Sequence, residues 1–239
     1  MLQTKTILTA IPHCLETLDL KRAGKKQQGK VRDFYILPNP PSHKASDGRS
    51  RIIITTDRQS AFDFVLGTIP YKGAVLNMLA AFWFSKTKHI IQNHMISVPD
   101  PNVTIAKNLQ PIPIEIIVRG YMSGVTKTSI WYSYQKGERT MYGVSFPDGL
   151  KKNDKLPTPV ITPTTHGSPS TGSGSSSGHD ERLTKKEILD KNLISKKIYE
   201  QMEQVALDLF AFGSKLAYKQ GLILVDTKYE FGLDENGNL

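Results

Sequence analysis

The chain has 239 residues, 38% apolar and 22% charged, with a formal net charge of +9. That is ordinary for a soluble globular protein long enough for one large domain or two lobes, and the basic excess suits anionic partners. With one cysteine, Cys14, an intrachain disulfide is excluded; with no apolar run of signal-peptide or membrane-spanning length, the expectation is a cytosolic protein with no membrane partner.

In chain order, residues 1–28 read as a helical or irregular lead-in with a basic turn around Lys21–Lys26. Val31–Leu37 reads as a strand opened by Gly29, with Lys30, Arg32 and Phe34 on one face. A glycine followed by alternating cations suits a hairpin over phosphates, although the Walker A spacing is missing and, taken alone, the pattern favours a plain solvated strand. Pro38–Arg49 is a polar loop, and Arg51–Thr56 is a buried strand that runs into Asp57 and Arg58. Charges at the end of a buried strand suit a site, while turn chemistry and a helix cap are the plainer explanation.

Ala74–Lys86, with Val75, Leu79, Phe82 and Trp83, has the period of an amphipathic helix, and His94–Val98 reads as a short strand. Ile112–Val118 is a strand ending at Arg119, and parity puts Glu115 on the same side. The prolines at 111 and 113 suggest a lobe boundary near residue 110, giving a β-rich lobe 1–109 and an α+β lobe 110–239. Thr128–Tyr134 fits a helix or a strand. Residues 167–178 form a Gly/Ser linker that packs no core. Thr184 to Glu187 is a capping box, and Ile198, Met202, Val205, Leu209, Phe212 and Leu216 predict a long helix stopped by Gly221.

Leu222–Gly232 reads as one strand. Alternation puts Ile223, Val225, Thr227, Tyr229 and Phe231 on a core face, and Leu222, Leu224, Asp226, Lys228 and Glu230 on the other. Two readings stand: a solvated charged face, or the floor of a cleft that holds a metal and grips a polar substrate. The six histidines show no zinc-ligand spacing. The lysines are scattered and no RNA- or DNA-binding signature is present, so nucleic acid is the weaker partner class.

Gly29-Lys-Val-Arg-Asp33, Thr56-Asp-Arg-Gln-Ser-Ala-Phe-Asp63, Pro113-Ile-Glu-Ile-Ile-Val-Arg119 and Val225-Asp-Thr-Lys-Tyr-Glu-Phe-Gly232 occur in this order. Together they resemble the SAICAR synthetase family, and Leu156–Thr165 and His179-Asp-Glu181 fit it too. The resemblance implies a two-lobed α+β fold related to ATP-grasp and kinase-like folds. It implies an ATP- and Mg²⁺-dependent ligase of purine biosynthesis that joins a carboxylated aminoimidazole ribonucleotide to L-aspartate through an acyl phosphate. By resemblance, Lys30 and Arg32 lie over the ATP phosphates, and Lys107 and Glu115 lie by the hinge that receives the nucleotide. Arg119 grips the ribonucleotide phosphate, Asp226 and Lys228 contact the imidazole substrate, and Glu230 ligates Mg²⁺. Asp57, Arg58, His179 and Asp180 are implied near the substrate.

Two departures stand out. Val125 occupies a position where the family has a phosphate-binding Ser, leaving Ser123 or Thr126 to substitute. The family also continues beyond the position of Leu239 with a second Mg²⁺ carboxylate and a phosphate-binding Arg, so these 239 residues alone are expected to be weakly active or inactive. A related kinase or ligase with another acceptor is the second hypothesis, and a basic RNA-binding protein the third.

Overall fold

A computed structural model describes residues 3–37, 50–61, 64–165 and 181–239. The Gly/Ser run 167–178, the whole loop Pro38–Arg49, Phe62, Asp63, and the predicted site residues His179 and Asp180 lie outside the described residues. The chain divides into two compact units, Met1–Leu109 and Gln110–Leu239.

The first unit opens with helix α1 (Thr4–Ala10). Strands β1 (Lys26–Gln28), β2 (Arg32–Ile36) and β3 (Ser50–Thr55) follow. Then come β4 (Arg58–Ala61), β5 (Phe64–Thr68), helix α2 (Lys72–Lys86), β6 (Met95–Asp100) and β7 (Val103–Lys107). An antiparallel sheet of order β1-β2-β3-β7-β6 forms its body, and β4-β5 is a separate hairpin. The core is small: Ala23, Tyr35 and Ile54 are buried, with Leu15, Leu18 and Ile52 among those packed on them.

Helix α2 corrects the expectation for its apolar stripe. The helix forms, but its apolar residues are spread around it rather than gathered on one face, and its buried residues are Gly73 and Asn77. Val75, Leu79 and Phe82 are exposed. The physical reason lies at Gly73, where an added Cβ would sit 2.2 Å from the Thr55 carbonyl oxygen. The helix approaches the sheet through its glycine, and Asn77 accepts from Thr104 Oγ1 at 2.8 Å.

The second unit contains β8 (Gln110–Tyr121), α3 (Ile130–Tyr134), β9 (Thr140–Met141), β10 (Val144–Ser145) and β11 (Lys155–Thr165). Helices α4 (Lys185–Asp190) and α5 (Lys196–Tyr218) lead to β12 (Asp226–Leu233). Its main sheet has the order β11-β8-β12, antiparallel throughout. The β-branched run in β8 supplies Ile112, Ile114, Ile116 and Val118 to one face, where they pack on Tyr199, Met202, Ala206 and Phe210 of α5. Each fully buried aliphatic side chain contributes about 1.5–3 kcal/mol. A second cluster joins Met122, Ile130, Tyr134, Met141, Tyr142 and Phe146.

Thr184 closes a full capping box on α4, and Ser195 caps α5. At the far end of α5, Gly221 (φ 71°) donates to the Tyr218 carbonyl and Leu222 to that of Ala217, a Schellman turn. The buried arc of α5 runs through Tyr199, Met202, Val205, Ala206, Phe210 and Gly213; Met202 and Val205 of the stripe read in sequence are buried, and the rest of the arc lies about one residue round from it. Glycines explain the rotation, since a Cβ on Gly120 of β8 would lie 3.1 Å from Phe210 Cζ. The last strand also starts later than read. Leu222 and Ile223 are exposed connector, and the ladder begins at Asp226. From there the predicted alternation holds, with Asp226, Lys228 and Glu230 exposed and Thr227, Tyr229 and Phe231 half-buried. A bulge between Glu230 and Gly232 falls opposite Pro113, which has no N–H to give a ladder.

Candidate active site

Register decides the site in the second unit. Asp226 pairs with Arg119, Lys228 with Ile117 and Glu230 with Glu115. On the other side of β8, Thr162 pairs with Ile117 and Thr164 with Glu115. Directly paired residues share a face, so these side chains all stand opposite the α5 side of the sheet. Arg119 NH1 lies 2.9 Å from Asp226 Oδ2, and its Nε donates to Thr162 Oγ1 at 3.0 Å. Lys228 Nζ reaches diagonally to Glu115 Oε1 at 2.8 Å, and Thr164 Oγ1 donates to Glu115 Oε2 at 3.2 Å.

Exposure is unequal within each pair. The Arg119 side chain is 8% exposed against 45% for Asp226, and Glu115 is 3% exposed against 45% for Lys228. Each pair therefore has one buried anchor from β8 and one half-open partner from β12. Burial pulls the Arg119 guanidinium below its ordinary pKa, Asp226 and Tyr142 counter that, and Arg182 adds to it. A cation held this way is only partly neutralised and remains a strong receptor for an anion.

A cavity of about 960 Å³ opens over this face, lined by Arg119, Asp226, Lys228, Ile117, Glu181 and the loop 124–129. Gly124 (φ 100°) starts the loop, and a Cβ there would lie 2.4 Å from Ser129 Cβ. Val125 is 73% exposed. Of the two hydroxyls expected to replace a serine here, that of Ser123 is turned to Asn153 Oδ1 at 3.1 Å. Thr126 lines the cavity, with Thr128 Oγ1 3.4 Å from its own hydroxyl.

In the first unit, β1 and β2 form a hairpin with Gly29, Lys30 and Val31 at its tip. Lys30 is thus in the turn, two positions before the strand, and both it and Arg32 are exposed. Lys107 is exposed at the end of β7. Asp57 and Arg58 serve the fold. Asp57 accepts from Leu15 N at 2.9 Å and from Gly73 N, at the start of α2, at 2.8 Å. Arg58 donates to the carbonyls of Lys30, Glu16 and Gly29 and forms a 2.7 Å ion pair with Asp33, which is fully buried. The helix cap and turn clamp of the plainer reading are present, with the polar atoms of both residues engaged by the chain itself.

The family model described as SAICAR synthetase matches residues 25–239. The chain belongs to the SAICAR synthetase family. It is 47% identical over 229 residues to the phosphoribosylaminoimidazole-succinocarboxamide synthase of Legionella pneumophila (strain Paris), covering 96% of this chain and 67% of that protein. The structure of the Saccharomyces cerevisiae SAICAR synthase complexed with SAICAR superposes with a TM-score of 0.73 at 27% identity, over 94% of this chain and 73% of that one. A type-2 SAICAR synthetase in complex with ADP gives 0.65 at 23% identity, over 90% and 77%, and supports the fold. The chain spans 67% of the length of the Legionella pneumophila protein and 53% of that of the chloroplastic synthase of Arabidopsis thaliana.

This face suits a hard divalent cation in one limited way. Among the described residues there is no cluster of three or more His, Cys, Asp or Glu able to hold a metal. Glu230 presents an exposed carboxylate opposite Glu115, and Glu115 is committed to Lys228 and Thr164. One carboxylate completed by substrate oxygens and water is a normal Mg²⁺ environment. Sequence reasoning passed over Thr162, Thr164, Lys127, Tyr142 and Arg182. Tyr142 and Arg182 act on backbone carbonyls, which leave no pattern in a sequence.

Proposed function

We propose that this protein performs the ATP-dependent ligation of a carboxylated aminoimidazole ribonucleotide with L-aspartate to give the succinocarboxamide. The supporting observation is the half-buried ladder Arg119–Asp226 and Glu115–Lys228 under a cavity edged by the loop 124–129, in a chain of this family. A carboxylate is a poor electrophile. Its oxygen attacks the γ-phosphorus of ATP, the bond to the β-phosphate oxygen breaks and ADP leaves. The aspartate amine then attacks the acyl carbon, the C–O bond to phosphate breaks, and the nitrogen loses a proton as the amide forms.

Arg119 and the 124–129 loop receive the ribonucleotide phosphate, and the half-open Asp226 and Lys228 orient the imidazole and its carboxylate. Lys30 and Arg32 cover the ATP phosphates from the hairpin tip, and Lys107 stands by the nucleotide. Glu230 would hold Mg²⁺, whose charge would offset that of the triphosphate. The test pairs calorimetry with an assay of ADP release. Support requires that the ribonucleotide binds the protein and that ADP release needs both ribonucleotide and aspartate. ADP release indifferent to aspartate, or no ribonucleotide binding, would refute the assignment.

A further inference from the structure

The loop 124–129 is held from behind by two residues that do not line the cavity. Tyr142 Oη donates to the Thr128 carbonyl at 2.5 Å. The Arg182 guanidinium donates to the Lys127 carbonyl and to Ser133 Oγ, lies 3.2 Å from Glu138 Oε2, and sits 5.6 Å from the Tyr142 ring centroid. Arg119 reaches the same Thr128 carbonyl at 3.5 Å. Within the loop, Ser129 gives its N–H and its hydroxyl to the Thr126 carbonyl, at 2.9 and 2.7 Å. Three consecutive carbonyls are thereby occupied. Among the described residues, no N–H from Val125 to Thr128 is bonded.

Tyr142 holds its place against its own backbone preference. With Gly143 it makes the two-residue turn between β9 and β10, at φ 57° and 79°. A turn with positive φ at both central residues favours Asn-Gly or Asp-Gly, and a bulky residue in the left-handed region is strained. Such strain persists where the surroundings fix it and something uses it. Here the Tyr142 ring packs in the second cluster and its hydroxyl meets the loop. Burial pushes the phenol above its ordinary pKa despite Arg182 and Arg119, so it stays a donor at neutral pH.

We infer that Arg182 and Tyr142 are positioning residues that fix the peptide planes at Lys127 and Thr128, so that the free N–H groups of the loop receive the anionic end of the ligand. Main chain there does the work that a side-chain hydroxyl could do for an anion. The inference rests on the reading above, in which this loop takes the phosphate of a ribonucleotide.

The test is titration of 5-aminoimidazole-4-carboxamide ribonucleotide, and separately of the same nucleoside without phosphate, into the full chain. Tyr142→Phe keeps the ring and the turn and deletes the donor; Arg182→Met keeps the stem and deletes the guanidinium. Each should weaken the ribonucleotide about 5- to 30-fold and the nucleoside less than about twofold. Parallel loss of both ligands, or no loss, in a variant with a wild-type unfolding transition would overturn the positioning role while leaving the function intact. A wild-type protein that binds the two ligands equally would remove the phosphate assignment itself, and this inference with it. If one variant fails to fold, the other carries the same comparison.

Discussion

Asp33–Arg58 in the first unit and Arg119–Asp226 in the second are ion pairs of similar length, 2.7 and 2.9 Å, and both arginines are nearly buried. They differ in what else the arginine touches and in the state of the acid. Arg58 spends its other donors on three carbonyls, and Asp33 is sealed. Arg119 has one hydroxyl, one distant carbonyl and a carboxylate that is 45% exposed beside a cavity. The first pair is saturated by the chain itself and holds the fold. The second keeps a partner that water, or a ligand, can displace. Charge at a strand end therefore identifies nothing until its partners are counted.

The sharpest way to break this comparison is Arg58→Met. It would strand Asp33 as a buried, unpaired carboxylate and release the 29–31 turn. Urea denaturation should show a loss of about 3–5 kcal/mol. A loss under about 1 kcal/mol would mean that Arg58 is no clamp. A smaller effect is expected in the second unit. Lys228→Met removes a half-exposed partner from the buried Glu115 and should cost about 1–3 kcal/mol. Adding Glu115→Gln should return at least half of that, because the stranded charge disappears. Additive losses in the double variant would show that the two side chains are not coupled.

The reach of the sequence follows the range of the interactions. Period-two alternation is local, so the faces of Asp226–Phe231 were legible. So were the capping box at Thr184 and the stop at Gly221. Leu222–Val225 look like strand by side chain alone, yet follow a Schellman turn and serve as connector. The rotation of α5 was hidden because it depends on Gly120 meeting Phe210 from a strand far away in sequence. The exposure of Val75, Leu79 and Phe82 on α2 was hidden for the same reason at Gly73. Arg58 and Arg119 read alike because each is an arginine near a strand end. Their partners lie 25 and 107 residues away, and no spacing rule joins them.

Acid should separate the two regions with a smaller effect. Burial works to raise the Asp33 carboxyl, and hydrogen bonds from Arg58 and Thr17 with the Arg58 charge outweigh it, so its folded pKa lies below the ordinary value. A depressed carboxyl stabilises the fold fully above its unfolded pKa of about 4 and loses that contribution as pH falls through the folded value. Wild type should therefore lose stability below about pH 4 more steeply than Asp33→Asn, and the gap between them should narrow toward pH 2. Parallel curves from pH 7 to the acid limit would show that Asp33 is not the titrating group.

The smallest expected effect is on Glu230, and its smallness is the point. Glu230 is exposed, and among the described residues it forms no ion pair, so the fold asks nothing of it. Glu230→Gln should change unfolding free energy by less than about 0.5 kcal/mol. Its consequence should fall instead on the Mg²⁺ concentration needed for nucleotide binding, which should rise while the unfolding transition stays put. A residue that costs the fold nothing yet shifts the cation requirement sits at the far pole from Arg58. If Glu230→Gln destabilises the protein like Lys228→Met and leaves the Mg²⁺ dependence unchanged, Glu230 belongs to the structural ladder, and the cation must be held by other oxygens.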